Sequence, residues 1–200
     1  MVPKVAHATE FFLLKDDERW AAYNCTTSLT PLAERQVSLG TLELSSSVVF
    51  QIHQPAQLKD FGWSGTAMVI SQRAKDAFDV SNVTGWTTYD VAVQTKDGET
   101  IPGYYGLAIT GRCGPIRWER SKVVSVEMPG GMIPHFEGVV FDVSTWDGAD
   151  IFVATGPGWF VLATAKVSEV VRRLRLSNIR LLPASSYRIP TGLVHHEYTT

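Results

Sequence analysis

The sequence predicts a strand-rich α+β fold in one domain, on three observations. Two stretches, Thr66 to Val93 and Trp159 to Leu182, read as similar strand–helix–strand units. Short apolar runs and period-two stretches outnumber helical patterns in the remainder. No Gly/Ser tract, Pro tract or low-complexity segment marks a linker. The sheet is expected to be mostly antiparallel or mixed.

In the first unit, Ala67, Met68, Val69 and Ile70 form a short apolar run, suited to a strand buried on both faces. Ser71 is placed to cap a helix over Gln72 to Asp79, with Ala74, Ala77 and Phe78 on one face. Ser81-Asn82 breaks it, Gly85 loosens the backbone, and Trp86 to Val93 alternates as a strand. In the second unit, Phe160, Val161 and Leu162 form the strand and Thr164 the cap. Val167, Val170, Val171 and Leu174 give a helical stripe at i, i+3, i+4, i+7. Ser177-Asn178-Ile179 echoes Ser81-Asn82-Val83, and the second helix reads as about one turn longer. The echo predicts an internal duplication.

Taken in order, Glu10 to Leu14 is a strand, Lys15 to Glu18 a hairpin turn and Arg19 to Tyr23 the return strand. Thr27 to Arg35 reads as loop or a helical turn, and Val37 to Leu44 and Val48 to Ile52 as strands. After the first unit, Lys96-Asp97-Gly98-Glu99 is a turn leading to a strand over Tyr104 to Thr110. Ile116 and Trp118 alternate with charged residues as a further strand, and Val123 to Met128 is another. Pro129-Gly130-Gly131 is a break. Strands follow at Val139 to Val143 and Ile151 to Ala154, with a turn at Trp146-Asp147-Gly148 between them. Gly156-Pro157-Gly158 turns the chain into the second unit.

Composition excludes several functions. The net charge of −2 argues against a general nucleic-acid or acidic-membrane binder. No run approaches the roughly 20 apolar residues of a membrane span, and the first residues lack the apolar core of a secretion signal. Cys25 and Cys113 are expected to be free thiols of a reducing cytoplasm.

Recognisable chemistry is sparse. The five histidines show no metal-site spacing, and His195-His196-Glu197 sits in a polar tail. Gly62-Trp63-Ser64-Gly65 lacks the spacing of a nucleophile elbow and precedes its strand. No catalytic, cofactor or metal residues are therefore assigned. Charge is uneven: acids concentrate between Glu127 and Asp150, whereas Lys166, Arg172, Arg173, Arg175, Arg180 and Arg188 dominate the C-terminal part. Solvated faces explain most of this. A polarised surface that steers a partner is the functional reading, and tryptophans beside glycines or charges, among them Trp63, Trp118, Trp146 and Trp159, suit a protein interface where exposed; together they make Trp118, Trp146, Asp147, Asp150, Arg172 and Arg175 the candidate partner-binding residues.

VISQRAKDAFDVSNVTGWTTYDV, then GYYGLAI, then VVFDVSTWDGADIFVATGPGWFVLATAKVSEVVRRLRLSNIRLLPA together resemble a family of bacterial polymorphic-toxin immunity proteins, numbered eleven among immunity families. The resemblance spans Phe12 to Pro183, including the Asp150-Ile151-Phe152 element. It departs at Leu162-Ala163-Thr164, where Val-Ser-Glu is typical, and matches only loosely at Trp118-Glu119-Arg120-Ser121. It implies a cytoplasmic, non-enzymatic protein that binds a cognate protein toxin, without cofactor, nucleic acid or membrane. Monomer or homodimer is left open. The rival reading is an enzyme or small-molecule-binding module with a pocket between the two repeated units. A third is nucleic-acid binding around Arg172 to Arg180, which would require strongly salt-dependent affinity.

Overall fold

A computed structural model describes residues 10–17, 25–53, 58–156 and 158–195. Among them the fold is α+β, with one four-stranded, one five-stranded and two three-stranded sheets. In chain order the first part holds β1 (Phe11–Asp16), β2 (Cys25–Thr27), α1 (Pro31–Ser38), β3 (Val48–Ile52), β4 (Phe61–Ser64) and β5 (Ala67–Ser71). There follow α2 (Gln72–Val80), β6 (Trp86–Tyr89), β7 (Val91–Thr95), β8 (Tyr104–Ile109) and β9 (Gly111–Cys113). Then come β10 (Lys122–Met128), β11 (Gly131–Glu137), β12 (Ile151–Ala154), β13 (Val161–Thr164), α3 (Ala165–Leu174), β14 (Ile179–Pro183), β15 (Arg188–Pro190) and α4 (Thr191–His195).

The two units share one topology. The first sheet runs β4-β5-β8-β6, and the second contains β12-β13-β1-β14 in the same antiparallel sense, with β9 added at its edge. Each is a split strand–helix–strand unit, its two flanking strands separated by one inserted strand. In the first unit that strand is β8, from later in the chain. In the second it is β1, from the start of the chain, so β1 pairs with β13 and β14. Hence Lys15 and Asp16 continue β1 instead of turning, and residues 18–24, which hold the expected return strand, lie outside the described residues.

Both sheets are covered on both faces, which is why β5, β12 and β13 are buried along nearly their whole length and read as apolar runs. Met68, Ile70, Ile151, Val153, Val161 and Ala163 point into one core shared with Ala74, Ala77 and Phe78 of α2 and Val167, Val170 and Val171 of α3. The alternate residues Ala67 and Val69 face a second core with Phe50, Ile52 and Val93 of the β2-β3-β7 sheet. Leu13, Phe152 and Leu162 face a third, with Phe136 of the β10-β11-β15 sheet and Trp118. The helices thus lie between two sheets, and each sheet carries a smaller one on its back.

The repeat register differs from the sequence echo. Both helices run for similar lengths, nine and ten residues, from the caps Ser71 and Thr164. Both end in a left-handed residue, Asn82 (φ 50°) and Arg175 (φ 49°). Asn82 therefore corresponds to Arg175, and Ser177 corresponds to Thr84, not to Ser81; the expected extra turn of the second helix is absent.

Other local readings are also corrected. Val37 lies in α1, not in a strand, because Thr30 accepts from the Ala33 N–H and Pro31 opens the helix. Trp86 to Val93 splits at Asp90 into strands of different sheets. The Asp97-Gly98 turn is present, but β7 and β8 also belong to different sheets. Trp118 starts a 3₁₀ turn over Trp118–Arg120. Residues 139–143 form no strand, because Asp142 takes the Ser144 N–H and starts a 3₁₀ turn. Pro129-Gly130 is a hairpin turn between β10 and β11 instead of a break.

Gly85 shows how tightly the units join. Its φ is +85°, and a Cβ there would lie 2.1 Å from the Ile151 carbonyl oxygen. Gly85→Ala is therefore expected to cost about 3 kcal/mol or more, from backbone strain plus a backbone clash. A urea melt measures it.

Candidate partner-binding surface

Where the units meet, ionisable groups are consumed by structure. Asp60, just before β4, accepts from the Ser71 hydroxyl (3.0 Å), Arg73 Nε (2.9 Å), and the Ser177 N–H and hydroxyl (2.7 Å each). Asp150, just before β12, does the corresponding work. It accepts from the Thr164 hydroxyl (3.1 Å), Lys166 Nζ (2.9 Å), and the Thr84 N–H and hydroxyl (3.0 and 3.1 Å). Each acid thus binds the N-terminus of its own unit's helix and the segment that follows the other unit's helix. Arg73 also donates to the Leu174 and Arg175 carbonyls, and Lys166 to the Asn82 carbonyl. The N-terminal turn of each helix therefore caps the C-terminus of the other, a favourable use of cations near helix C-termini.

Burial opposes the charge on Asp60, but the Arg73 and Ser177 donors, with Ser71, hold its pKa below the ordinary 3.8. Burial likewise opposes the charge on Asp150, and Lys166, Thr84 and Thr164 outweigh it. Both folded-state pKa values are lowered, so the unfolded chain binds more protons as acid is added. This stability is complete above the unfolded pKa of about 3.9 and is lost as pH falls through the folded values. The urea midpoint is expected to be flat with respect to these two groups from pH 7 to about pH 5 and to drop below about pH 4. In the Asp60→Asn/Asp150→Asn variant that drop is shallower.

The junction does leave a shallow polar depression of about 330 Å³, lined by Thr84, Gly85, Thr110, Gly111, Asp147, Gly148 and Ala149. Its one titratable group, Asp147, accepts from the N–H groups of Arg112 (2.7 Å) and Ala149 (3.0 Å). Burial pushes the thiols of Cys25 and Cys113 up to about 11 and about 12, and both are free. Both are thus protonated at neutral pH and poor nucleophiles. No cluster of three or more His, Cys, Asp or Glu able to hold a metal occurs among the described residues. His196 and Glu197 lie outside them. No helix among them is long and apolar enough to cross a membrane.

The six residues singled out by sequence do not make one patch. Trp118 is buried, 7 % exposed, against Phe136 and Phe160. Trp146 is half-buried on Phe11 and Phe152, and its Nε1 donates to the Ala149 carbonyl. Asp150 is engaged at the N-terminal end of α3. Arg172 and Arg175 are exposed toward the other end of α3, about 9 and 13 Å along the axis from Lys166. Asp147 is exposed, in the loop with Trp146.

A feature missed in the sequence is the β10–β11 hairpin, paired from Lys122↔Glu137 to Met128↔Gly131. Its base is fixed. Phe136 packs on Trp118 at 5.5 Å, Arg188 bridges Glu137 at 3.0 Å, and Ser121 donates to the Gly138 carbonyl at 2.7 Å. Its exposed apolar side chains reach solvent on both faces, Val123 (59 % exposed) and Met132 (63 %) on one and Met128 (43 %) and Ile133 (37 %) on the other. Leu193 of α4, which packs on β11 and β15, is exposed as well. Exposed apolar groups gathered on one element mark interaction surfaces, and methionines adapt to varied partners.

The fold is thus that of a two-unit, strand-rich α+β protein with a presented hairpin. Comparison with protein-family models finds no match, and comparison with curated proteins finds none.

Proposed function

We propose that this chain is a non-enzymatic immunity protein of the cytoplasm that binds a cognate bacterial toxin and neutralises it by covering its working surface. The sequence resemblance supplies the class. The observation that carries the mode of action is the hairpin: a fixed base with Val123, Met128, Met132 and Ile133 held out to solvent. A preformed surface binds with little ordering cost, and a standard interface needs about 800 Å² from each side. The hairpin, with Val123 and Met132 on one face and Met128 and Ile133 on the other, enters the partner together with Leu193 of α4 as the apolar centre of that area, and Lys122 and Glu127 are its exposed charges. Asp147, Arg172 and Arg175 steer the approach without forming the centre.

The test is affinity purification of the tagged chain from lysate of its source cell, washed at moderate salt. Stoichiometric retention of one multidomain, toxin-like protein is the expected result. Failure to retain any protein from a lysate shown to contain the toxin contradicts the proposal.

A further inference from the structure

The outer edge of β10 (Lys122–Met128) is open. β11 pairs with it on one side, and among the described residues no strand pairs with it on the other. β10 has seven residues, and no other edge strand among the described residues exceeds five. Its register with β11 is unbroken from Lys122↔Glu137 to Met128↔Gly131, so no bulge turns the edge away, and it holds no proline. All seven residues are exposed or half-buried. Every second residue of such a strand points its N–H and C=O outward. That row of donors and acceptors is met by another extended chain rather than by a compact ligand.

The side chains of β10 fit a second copy of the same strand. Lys122 and Glu127 sit toward opposite ends, with Val123, Val124 and Val126 between them. Parallel pairing in register would set Lys122 on Lys122 and Glu127 on Glu127, which repel. Antiparallel pairing about a twofold axis at Ser125 gives all seven residues a partner. Lys122 then faces Met128 of the second copy, Val123 faces its Glu127, Val124 its Val126, and Ser125 its Ser125, so no like charges meet. The cationic end of each strand lies beside the acidic end of the other. On one face of the joined sheet, Val124 and Val126 of both copies come together. Ile133 of each copy, opposite Val126 in its own hairpin, extends that cluster. Val124 and Val126 are half-buried in the single chain and Ile133 is 37 % exposed, so pairing covers apolar surface as well as backbone.

We propose that two copies of this chain pair antiparallel through β10, about Ser125, joining their three-stranded sheets into one of six strands. A contact one strand long is smaller than the standard interface of about 800 Å² from each side, so the pair is weak and the chain is a monomer at low micromolar concentration. The pairing rests on the open edge alone and holds whether or not the hairpin also meets a toxin.

The test is sedimentation equilibrium of the full chain from about 1 µM to about 1 mM. The apparent mass is expected to rise from one chain to two and to stop there. Ser125→Lys and Ser125→Glu each put like charges face to face at the axis, and each is expected to weaken self-association about tenfold or more. An equimolar mixture of the two variants puts opposite charges face to face and is expected to restore the two-chain species. Ser125 is exposed, and circular dichroism checks that both variants are folded. A native chain that stays monomeric across the range, or that grows past two copies, would overturn the proposal. So would folded variants that self-associate as the native chain does, or a mixture that stays monomeric.

Discussion

Asp60→Ala is expected to lower stability by about 3–5 kcal/mol, the usual cost of removing one partner from a buried charge network. Asp60 is 4 % exposed, whereas the side chain of Arg73 is 57 % exposed, so the ion pair itself supplies the smaller part. The larger part comes from the Ser177 N–H and hydroxyl and the Ser71 hydroxyl, which lose their acceptor. Ser177 belongs to the other unit, so the change loosens the junction as well as the local helix cap. In a chain of this size the midpoint of thermal unfolding should fall by roughly 10 °C. Ser177→Ala removes one donor and keeps the acid, so its cost should be about 1 kcal/mol. Asp150→Ala is expected to behave like Asp60→Ala with a smaller loss, because the Asp150 side chain is more exposed, 15 % against 5 %. Equal stability of Asp60→Ala and the native chain in urea melts would remove the junction from the account.

Met132→Lys/Ile133→Lys is expected to leave the melting curve within about 1 kcal/mol of the native one, since both side chains are exposed. The same variant should weaken partner binding by about 3 kcal/mol or more, roughly 100-fold, if the hairpin is the apolar centre of the interface. Arg172→Glu/Arg175→Glu should act differently. Rim charges chiefly change association rate and salt dependence, so a severalfold slower on-rate with a similar off-rate is expected. The two variants together separate an anchoring surface from a steering one.

The fold class was legible because its signals are local. Ser71, Ala74, Ala77 and Phe78 announce α2, and Thr164 with the valine stripe announces α3. Apolar runs such as Ala67 to Ile70 mark strands covered on both faces, as observed. Pairing partners were not legible. Nothing near Phe12 says that β1 inserts between β13 and β14, some 150 residues away. The repeat register was misread because Ser-Asn dipeptides recur at Ser81 and Ser177, while the equivalent positions are set by the left-handed residues Asn82 and Arg175.

The hairpin was missed for a similar reason. Pro134 within β11 argues against a strand. In the structure it sits just before the three residues that pair with β15, where the ladder tolerates it. The Pro129-Gly130 pair between Val126 and Ile133 was the usable signal. The charged neighbours of Trp118 suggest an exposed side chain, but the 3₁₀ turn directs it inward onto Phe136 and Phe160. The Asp60 and Asp150 networks join residues up to 117 positions apart, and no sequence pattern links them.

Hydrogen–deuterium exchange on the retained complex separates a hairpin that anchors the partner from a charge-led contact. Slowed exchange is expected in residues 122–134 and in α4, with α3 unchanged. Protection centred on Asp147, Arg172 and Arg175, with the hairpin exchanging as freely as in the unbound chain, would contradict it.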